Sequence, residues 1–434
     1  PLPPPPPPPL EREPPQGHDY VCSDTCSSNQ PCFPCALQAA VERQRAYVSH
    51  LRHGTPYDGP QPLVFAPSNI GAAGFGQITG DFTGFFILAA YLRRPYLLAI
   101  SGYVPKSVFT SLLAPGAVDW SPYELLLDPI PQDVKHWMAG EDTSRGYGLN
   151  FLSKDPERPL RDTKGPATDQ EVKFLQAAPP SLVLFFKGQV GRFTQSHIYA
   201  NWARATFGDL CATSTCFTRM GWHHLFEPTP SLTASLGAAK RPMGGTDDAY
   251  VALHVRTGNG EMGEATNPAP HLRGHVSRVS REAVARSVAA CARHIREAAV
   301  RGGVTAPRAL LATDDPELAR VAERMYPGDI FAPSANASAG MDGGMHVGKI
   351  RMVFGGDLEA AARDPEKFHR IVEAWRAVLH DFLLLAESSH FLFYGASSFG
   401  YRASWMYTKS CSKPPQACQA EALFSVYCAR PELL

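Results

Sequence analysis

Short apolar runs alternate with longer amphipathic segments along much of this 434-residue chain. In the second half, strand-like runs at 250–255, 309–313 and 391–394 alternate with helical patterns at 281–300 and 368–382. Uncharged apolar runs of this length are typical of strands buried on both faces, and intervening helices place such strands parallel to one another. The alternation therefore predicts a doubly wound α/β unit in the second half of the chain.

The first half repeats this pattern less regularly. Apolar runs at 62–66, 96–100 and 182–186 predict strands, and the apolar segment 77–92 predicts a helix between the first two. Strand, glycine-rich turn, helix and strand in this order indicate a parallel sheet. Residues 102–180 are rich in Pro, Asp and Trp and predict irregular structure. The chain as a whole thus predicts an α/β fold with two Rossmann-like domains facing each other across a cleft.

Changes in composition divide the chain into four predicted parts. Residues 1–35 are predicted to be a proline-rich stem with a cysteine cap, and 36–245 the N-terminal Rossmann-like domain. A segment rich in Pro, Gly and Ala at 229–248 predicts the boundary between the two domains. Residues 246–405 are predicted to be the C-terminal Rossmann-like domain, and 406–434 a cysteine-containing extension.

The balance of charge argues against two classes of partner. Lys plus Arg and Asp plus Glu both number 41, so the net charge of zero favours neither nucleic acid nor an acidic membrane surface. No apolar run reaches the roughly 18 residues of a membrane span. The proline run at 3–9 favours extended polyproline II structure. Two interpretations of it stay open: a disordered tail, or a stem that leads to a membrane anchor absent from this chain.

Most of the ten cysteines lie near the two ends of the chain. The spacing of the N-terminal group is compatible with zinc ligands, but the Ser-, Pro- and Asn-rich sequence between them favours disulfides. A sequon at Asn336 is consistent with a secretory route. We therefore predict terminal extensions that are stapled by cysteines, with the pairing left open. The cysteines of the extensions are Cys22, Cys26, Cys32, Cys35, Cys411, Cys418 and Cys428.

Residues suited to anion binding follow several of the predicted strands. Gly74, Phe75 and Gly76 open the first helix, where glycines permit close backbone approach and a helix N-terminus attracts anions. A plain tight turn explains these glycines equally well, and the segment matches neither a Walker A loop nor a full dinucleotide fingerprint. His254 and Arg256 lie at the end of the next domain's first strand, where Arg256 can bind a diphosphate or pair with a carboxylate.

Two further segments of this kind follow strands in the second half. Asp314 and Asp315 come after one strand, and simple helix capping is the favoured interpretation of Asp315. Ser397 and Ser398 occupy a strand-to-helix turn, with Arg402 one helical turn beyond Ser398. Serines there can cap the helix or offer hydroxyl and N–H groups to a phosphate. Anion-compatible chemistry in four separate loops indicates a shared binding site at the carboxyl edges of the strands.

Three motifs in fixed order make the sequence similar to a known family. The segments HVRTGNGEMGE and LLATDDPELARVAERMYP, followed by Asp381 and SSFGYRA, resemble the α1,6-fucosyltransferase family. The resemblance covers roughly 250–405, with a weaker echo at 74–98. It implies the GT-B fold with the donor in the C-terminal domain, the acceptor on the N-terminal side, GDP-fucose as donor, and no metal or other cofactor.

The resemblance also implies roles for individual residues. His254 is expected to lie against the guanosine, and Asp381 to accept hydrogen bonds from the guanine N1–H and amino group. Arg256 is expected to neutralise the diphosphate, and Ser398 to contact the β-phosphate, with Arg402 nearby. The remaining residues expected at the donor site are Gly74, Phe75, Gly76, Asp314, Asp315 and Ser397.

The catalytic base and the acceptor are less closely specified. Glu264 matches the base proposed for the animal enzymes, whereas nodulation-type enzymes highlight Glu261; we rank Glu264 slightly ahead. This chain has Thr257, Asn259 and Gly260 where the animal enzymes have Arg, Asp and Lys on the acceptor side. The usual acceptor, the innermost GlcNAc of an N-glycan, is therefore not implied.

These observations predict an inverting, metal-independent fucosyltransferase of the Golgi lumen, acting on a glycan or glycoprotein and belonging to a type II membrane protein. A carboxylate would remove the acceptor proton while Arg256 stabilises the departing GDP. Three alternatives stay open. They are a transferase for another GDP-sugar, a catalytically silent sugar- or nucleotide-binding protein on the same fold, and a zinc enzyme using the N-terminal cysteines.

Overall fold

The computed structural model describes a set of helices and strands and part of the chain between them. Several sequence predictions lie outside the described residues, among them the proline-rich stem, the sequon and the loop that carries both candidate bases. The described residues are 35–60, 62–65, 75–100, 104–125, 182–184, 197–207, 214–243, 250–256, 280–301, 308–333, 350, 353–354, 357–393, 397–406, 410–413, 418, 424 and 426–429.

The helices are numbered in chain order. They are α1 (Cys35–His53), α2 (Phe75–Tyr91), α3 (Lys106–Leu112), α4 (His197–Phe207), α5 (Ser214–Leu225), α6 (Pro230–Lys240), α7 (Arg281–Arg301), α8 (Pro316–Met325), α9 (Leu358–Ala361), α10 (Pro365–Glu387) and α11 (Ser398–Met406). The strands are β1 (Leu63–Phe65), β2 (Tyr96–Leu98), β3 (Leu113–Pro115), β4 (Leu182–Leu184), β5 (Phe226–Pro228), β6 (Val251–Val255), β7 (Ala309–Thr313), β8 (Ile330–Phe331), β9 (His390–Phe393), β10 (Ser410–Ser412) and β11 (Val426–Ala429).

The second half is built on a six-stranded sheet in the order β10-β11-β9-β6-β7-β8. Strands β9, β6, β7 and β8 are parallel, as the alternation of apolar runs and helices predicts. In the register of this sheet, His254 lies between Ala312 and Phe393 near the carboxyl ends of the strands. The C-terminal extension adds β10 and β11 as antiparallel strands next to β9, which the sequence did not predict.

A smaller parallel sheet forms in the first half, in the order β2-β1-β4. Its register pairs Leu63 with both Tyr96 and Leu182, which confirms the three predicted strands. Two elements depart from prediction. Helix α3 lies in the segment expected to be irregular, and α6 occupies residues 230–240 in the segment whose composition predicted a domain boundary. The assignment of the boundary to residue 245 stays a prediction.

Side-chain caps explain where two helices of the second half begin. Asp315 is the N-cap of α8 and accepts hydrogen bonds from the backbone N–H groups of Glu317 and Leu318. Asp364 caps α10 in the same way, and both helices have proline at their first position. An aspartate followed by proline satisfies free N–H groups and pre-sets the helical backbone angle, so these helix starts follow directly from sequence.

Helices cover both faces of the six-stranded sheet. Alternate residues of β6 belong to two cores: Val251 and Leu253 pack with α7 and α8, while Ala252 packs with α10 and the first half of the chain. The second of these cores is continuous across the predicted domain boundary. At its centre the ring of Phe75 lies 5.1 Å from that of Phe382 and 6.1 Å from that of Trp222. The first residue of helix α2 in the first half therefore packs on α10 of the second half.

A disulfide links the C-terminal extension to α7, on the face of the six-stranded sheet that α7 and α8 cover. It joins Cys291 of α7 to Cys418, with the two Cα atoms 5.1 Å apart. This bond supplies one staple of the kind predicted for the extensions. The N-terminal cysteines Cys22, Cys26 and Cys32 lie outside the described part of the chain. Among the helices that can be described, none is long and apolar enough to cross a membrane.

Candidate active site

His254 connects three of the segments that the sequence singled out. Its Nδ1 lies 3.2 Å from the Ala312 carbonyl oxygen, and its Nε2 lies 2.7 Å from the Ser397 hydroxyl. A carbonyl oxygen only accepts, so Nδ1 carries the ring proton. Nε2 of the neutral ring then accepts, and the Ser397 hydroxyl donates to it. The ends of β6 and β7 and the turn before α11 are thereby held together.

The surroundings of His254 keep the ring neutral. The pKa of His254 is lowered from 6.5 to about 4, chiefly by burial and to a smaller extent by the nearby Arg256 guanidinium, against opposing effects of Asp314 and the Ala312 carbonyl. The charge of Arg256 therefore lies close enough to the ring to affect its protonation. Both ring nitrogens serve protein partners, and the predicted contact of His254 with a guanosine stays a prediction.

Ser397 and Ser398 differ in what they do at the start of α11. Ser397 is fully buried, and its hydroxyl accepts from the backbone N–H of Gly400 at 3.3 Å while donating to His254. It therefore caps the helix, one of the two roles considered for these serines. Ser398 is only partly buried at the first position of the helix. Of the two, Ser398 has the hydroxyl with access to a ligand at this helix N-terminus.

The glycine-rich start of α2 lies against the start of α11. A Cβ atom added to Gly76 would lie 2.6 Å from the Phe399 backbone nitrogen and 2.7 Å from the Ser398 carbonyl oxygen. The two backbones approach this closely only because Gly76 has no side chain. Phe75 is buried beside it, and Gly74 lies outside the described residues. The structure thus brings together the N-terminal turns of two helices, where anions are favoured.

The two predicted acids after β7 have different surroundings. Asp315 uses one carboxylate oxygen to cap α8, and its other oxygen accepts from the Nε of Arg281 at 2.8 Å. This confirms the capping interpretation that the sequence favoured. Asp314 is buried, and its charge raises the pKa of His254. Of the pair, Asp314 is the one that lies beside the His254 ring.

Asp381 lies on α10 close to the same turn. Its side chain is 7% exposed, and the ring of the next residue, Phe382, lies 5.2 Å from that of Phe399 at the start of α11. A buried carboxylate near this turn is compatible with the predicted recognition of guanine. Arg256, directly after β6, is half-buried. The donor roles expected of Asp381, Arg256 and Ser398 stay predictions.

Arg402 has protein partners on the first half of the chain. Its Nη1 donates to the Thr218 hydroxyl on α5 at 3.2 Å, and its guanidinium carbon lies 4.3 Å above the centre of the Trp405 ring. On the other side it faces Gly80 of α2, where an added Cβ would lie 2.5 Å from its Nε. Burial lowers the pKa of Arg402, and Asp81 opposes this effect. The sequence predicted Arg402 near a phosphate but did not identify Gly80, Asp81 or Thr218.

One sequence signal for these missed residues exists. Gly76 and Gly80 are four residues apart and therefore lie on one face of α2.

Both candidate bases, Glu261 and Glu264, lie outside the described residues, as do the acceptor-side positions 257–260. No group of three or more His, Cys, Asp or Glu side chains suited to a metal ion is found in the part of the chain that the structure describes.

Comparison with known proteins gives a likeness of fold. No protein-family model matches the sequence, and no curated protein does. The chain superposes on a mutant of Arabidopsis thaliana FUT1 in complex with GDP, with a TM-score of 0.52 and 14% identity, over 90% of this chain and 82% of that one.

Two further structures resemble the chain more distantly. NodZ α-1,6-fucosyltransferase soaked with GDP-fucose gives a TM-score of 0.42 at 13% identity, covering 84% of this chain and 98% of that one. Se-Met NodZ from Bradyrhizobium gives 0.44 at 13% identity, covering 82% and 95%. At this level of identity the comparison with FUT1 shows a shared mixed α/β fold.

Proposed function

We propose that this chain is the catalytic part of a glycosyltransferase that moves fucose from GDP-fucose to a glycan or glycoprotein acceptor. The observation that carries the proposal is the bond from Ser397 to His254, which joins the turn bearing Ser398 to the strand end bearing Arg256. The FUT1 structure, whose fold the chain shares, contains GDP. The motif order of the α1,6-fucosyltransferase family supports fucose as the sugar.

The donor site is proposed at the carboxyl edge of β6, β7 and β9, on the C-terminal side of a GT-B cleft. Arg256 binds the diphosphate there, because a guanidinium forms paired hydrogen bonds with phosphate oxygens. The adjoining starts of α2 and α11 add backbone N–H groups and favourable helix dipoles. Ser398 supplies a hydroxyl to the β-phosphate, and Asp381 accepts from the guanine edge.

Neutral His254 contributes in a way suited to an anionic donor. A ring with both nitrogens bound to Ala312 and Ser397 holds the turn in place without adding a charge that would compete with Arg256 for the diphosphate. Burial keeps the pKa of His254 near 4, so this holds across the pH range of secretory compartments.

The proposed reaction is a direct displacement at the anomeric carbon, with inversion. Glu264, or alternatively Glu261, removes the proton from the acceptor hydroxyl as that oxygen attacks. The bond from fucose to the β-phosphate breaks, and the negative charge that develops on GDP is stabilised by Arg256 and the helix N-termini. The chain's own cations perform this role, and no metal is assigned. Location in the Golgi lumen remains part of the proposal.

Calorimetric titration with GDP and an assay of GDP release from several GDP-sugars test the proposal. We expect GDP to bind, GDP-fucose to be the sugar-nucleotide turned over, and Arg256→Gln to weaken GDP binding about tenfold or more. Arg286→Gln, at an exposed position on α7, is the matched control and should bind GDP normally.

The outcomes separate the candidate functions. GDP binding without turnover of any GDP-sugar in the presence of a glycan array favours the catalytically silent sugar- or nucleotide-binding protein. Turnover of a different GDP-sugar retains the transferase and corrects the donor. Turnover that survives Glu264→Gln combined with Glu261→Gln overturns the assignment of the base. Absence of GDP binding overturns the proposed function as a whole.

A further inference from the structure

The Arg402 guanidinium lies at the meeting point of three helices from both halves of the chain. It extends from α11, donates to Thr218 of α5 at 3.2 Å, and lies against Gly80 of α2. The ring of Trp405 covers another side of the guanidinium, with the carbon 4.3 Å from the ring centre. These contacts leave Arg402 partly buried, with its guanidinium against α2 and α5 of the first half of the chain.

The chemistry of this position is specific for a flat cation. Burial lowers the pKa of Arg402, and the charge of Asp81 on α2 offsets part of that effect. A guanidinium is planar and weakly hydrated, so it can lie flat between a glycine backbone and an aromatic face. A lysine ammonium is compact and strongly hydrated and lacks this plane. Position 80 requires glycine in this arrangement, because any Cβ there would overlap the guanidinium of Arg402.

These contacts lie one helical turn from the proposed donor site. Gly76 precedes Gly80 by one turn on α2, and Phe399 precedes Arg402 by one turn on α11. Gly76 contacts the Phe399 and Ser398 backbone directly, so the separation of the two helix N-termini depends on how tightly the next turn is held. A displaced guanidinium at the second turn would therefore separate the first turns.

We propose that Arg402 is a positioning residue, which fixes the N-terminal turns of α2 and α11 against each other and leaves contact with the donor to Arg256 and Ser398. Its effect on donor binding rests on the proposed function. The effect on the two helices does not, and it can be measured without any ligand.

The test uses Gly80→Ala, which displaces the guanidinium while Arg402 itself is unchanged. Gly237→Ala is the matched control, because it also replaces a helical glycine and meets no atom within 4 Å. Hydrogen exchange of the amides in the first turns of α2 and α11 is measured for both variants and for Arg402→Lys, together with calorimetric affinity for GDP. We expect about tenfold faster exchange and about tenfold weaker GDP binding in Gly80→Ala and Arg402→Lys only.

Each result decides the matter. Unchanged exchange in both turns overturns the positioning role. Weaker GDP binding with unchanged exchange also overturns it, and makes Arg402 a direct ligand of the donor. If exchange is faster in the two variants but the wild-type protein does not bind GDP, the positioning role is supported and the proposed function is overturned.

Discussion

A buried neutral histidine and a buried serine determine the geometry of the proposed donor site. His254 is 5% exposed and Ser397 is fully buried, so neither side chain can exchange its partners for water without opening the fold. Their shared bond joins segments that are 143 residues apart in sequence. The proton lies on Nδ1 because the Ala312 carbonyl oxygen can only accept, and Nε2 of the neutral ring therefore accepts from the Ser397 hydroxyl.

The pKa of His254 makes the stability of the protein depend on pH. The unfolded chain binds a proton at this position below about pH 6.5, whereas the folded protein does so only near 4. Between these values the unfolded state binds more protons, so the free energy of unfolding decreases as the pH falls from 6.5 to 4. The loss attributable to His254 is at most about 3 kcal/mol. Urea unfolding of wild type at a series of pH values measures it.

His254→Gln provides the comparison for this prediction, since glutamine can form hydrogen bonds but does not titrate. We expect its unfolding free energy to decrease less steeply over the same pH interval. His380, whose pKa is also lowered by burial, contributes in the same direction and is retained in both proteins. Asp314 and Arg256, whose charges act on the ring, are likewise retained in both proteins. Equal slopes for the two proteins would contradict the assignment.

Truncation of Ser397 should destabilise the protein more than truncation of a neighbouring serine. Ser397→Ala leaves a ring nitrogen of His254 and the N–H of Gly400 without their buried partner, at a cost of about 1–3 kcal/mol. Ser404→Ala is the control, because its hydroxyl only donates to the Tyr401 carbonyl within the same helix. Urea unfolding at neutral pH measures both, and equal losses would contradict the role of Ser397.

At the scale of elements, the contact of α2 with α11 depends on glycines spaced one helical turn apart. The Cβ of Gly76→Ala would meet backbone atoms of α11, which cannot rotate away as a side chain can. We expect a loss of about 1–3 kcal/mol in unfolding free energy from overpacking, together with weaker GDP binding. Gly237→Ala on α6 should be neutral or stabilise by up to about 1 kcal/mol, since alanine favours helix and nothing obstructs it. Thermal unfolding of both variants tests this prediction. Equal destabilisation of the two would contradict it.

The elements themselves differ in how well sequence predicts them. Strand β6 and helices α7 and α8 were predicted because an apolar run, a periodic apolar stripe and an Asp-Pro start are local signals. Strand β10 was not predicted, because an edge strand of Ser and Cys carries no apolar run. Strand β11 was not predicted either, because four residues are a weak local signal and its place between β10 and β9 depends on tertiary pairing. The three post-strand segments of the second half were predicted to converge because the carboxyl ends of parallel strands in one sheet share one edge. The contacts of Arg402 with Gly80 and Thr218 were not predicted, because the spacing of Gly76 and Gly80 marks one face of α2 but does not identify the residue packed against it.

Across the whole molecule, the sheet of the second half separates the candidate site from the C-terminal staple. Cys291 belongs to the core of α7 and α8 on one face of the sheet. The residues of β6 that point to the same side as His254 pack on the other face. Ala252, two residues before His254 on β6, belongs to that second core together with Phe393. Removal of the disulfide should therefore lower the stability of the protein without weakening the binding of the donor.

The Cys291–Cys418 bond closes a loop of 127 residues, which is long enough for a large effect on the unfolded chain. Replacing both cysteines in Cys291→Ala/Cys418→Ala restores freedom to that loop in the unfolded state and should lower the unfolding free energy by about 2–5 kcal/mol. Strand β10 remains paired with β11, and β11 with β9, through backbone hydrogen bonds, so the folded sheet keeps its order. We therefore expect the double variant to unfold at lower urea concentration yet to bind GDP with wild-type affinity at a temperature well below its midpoint. Weakened GDP binding in a variant shown by circular dichroism to be folded would mean that the staple also supports the site, contrary to the separation by the sheet.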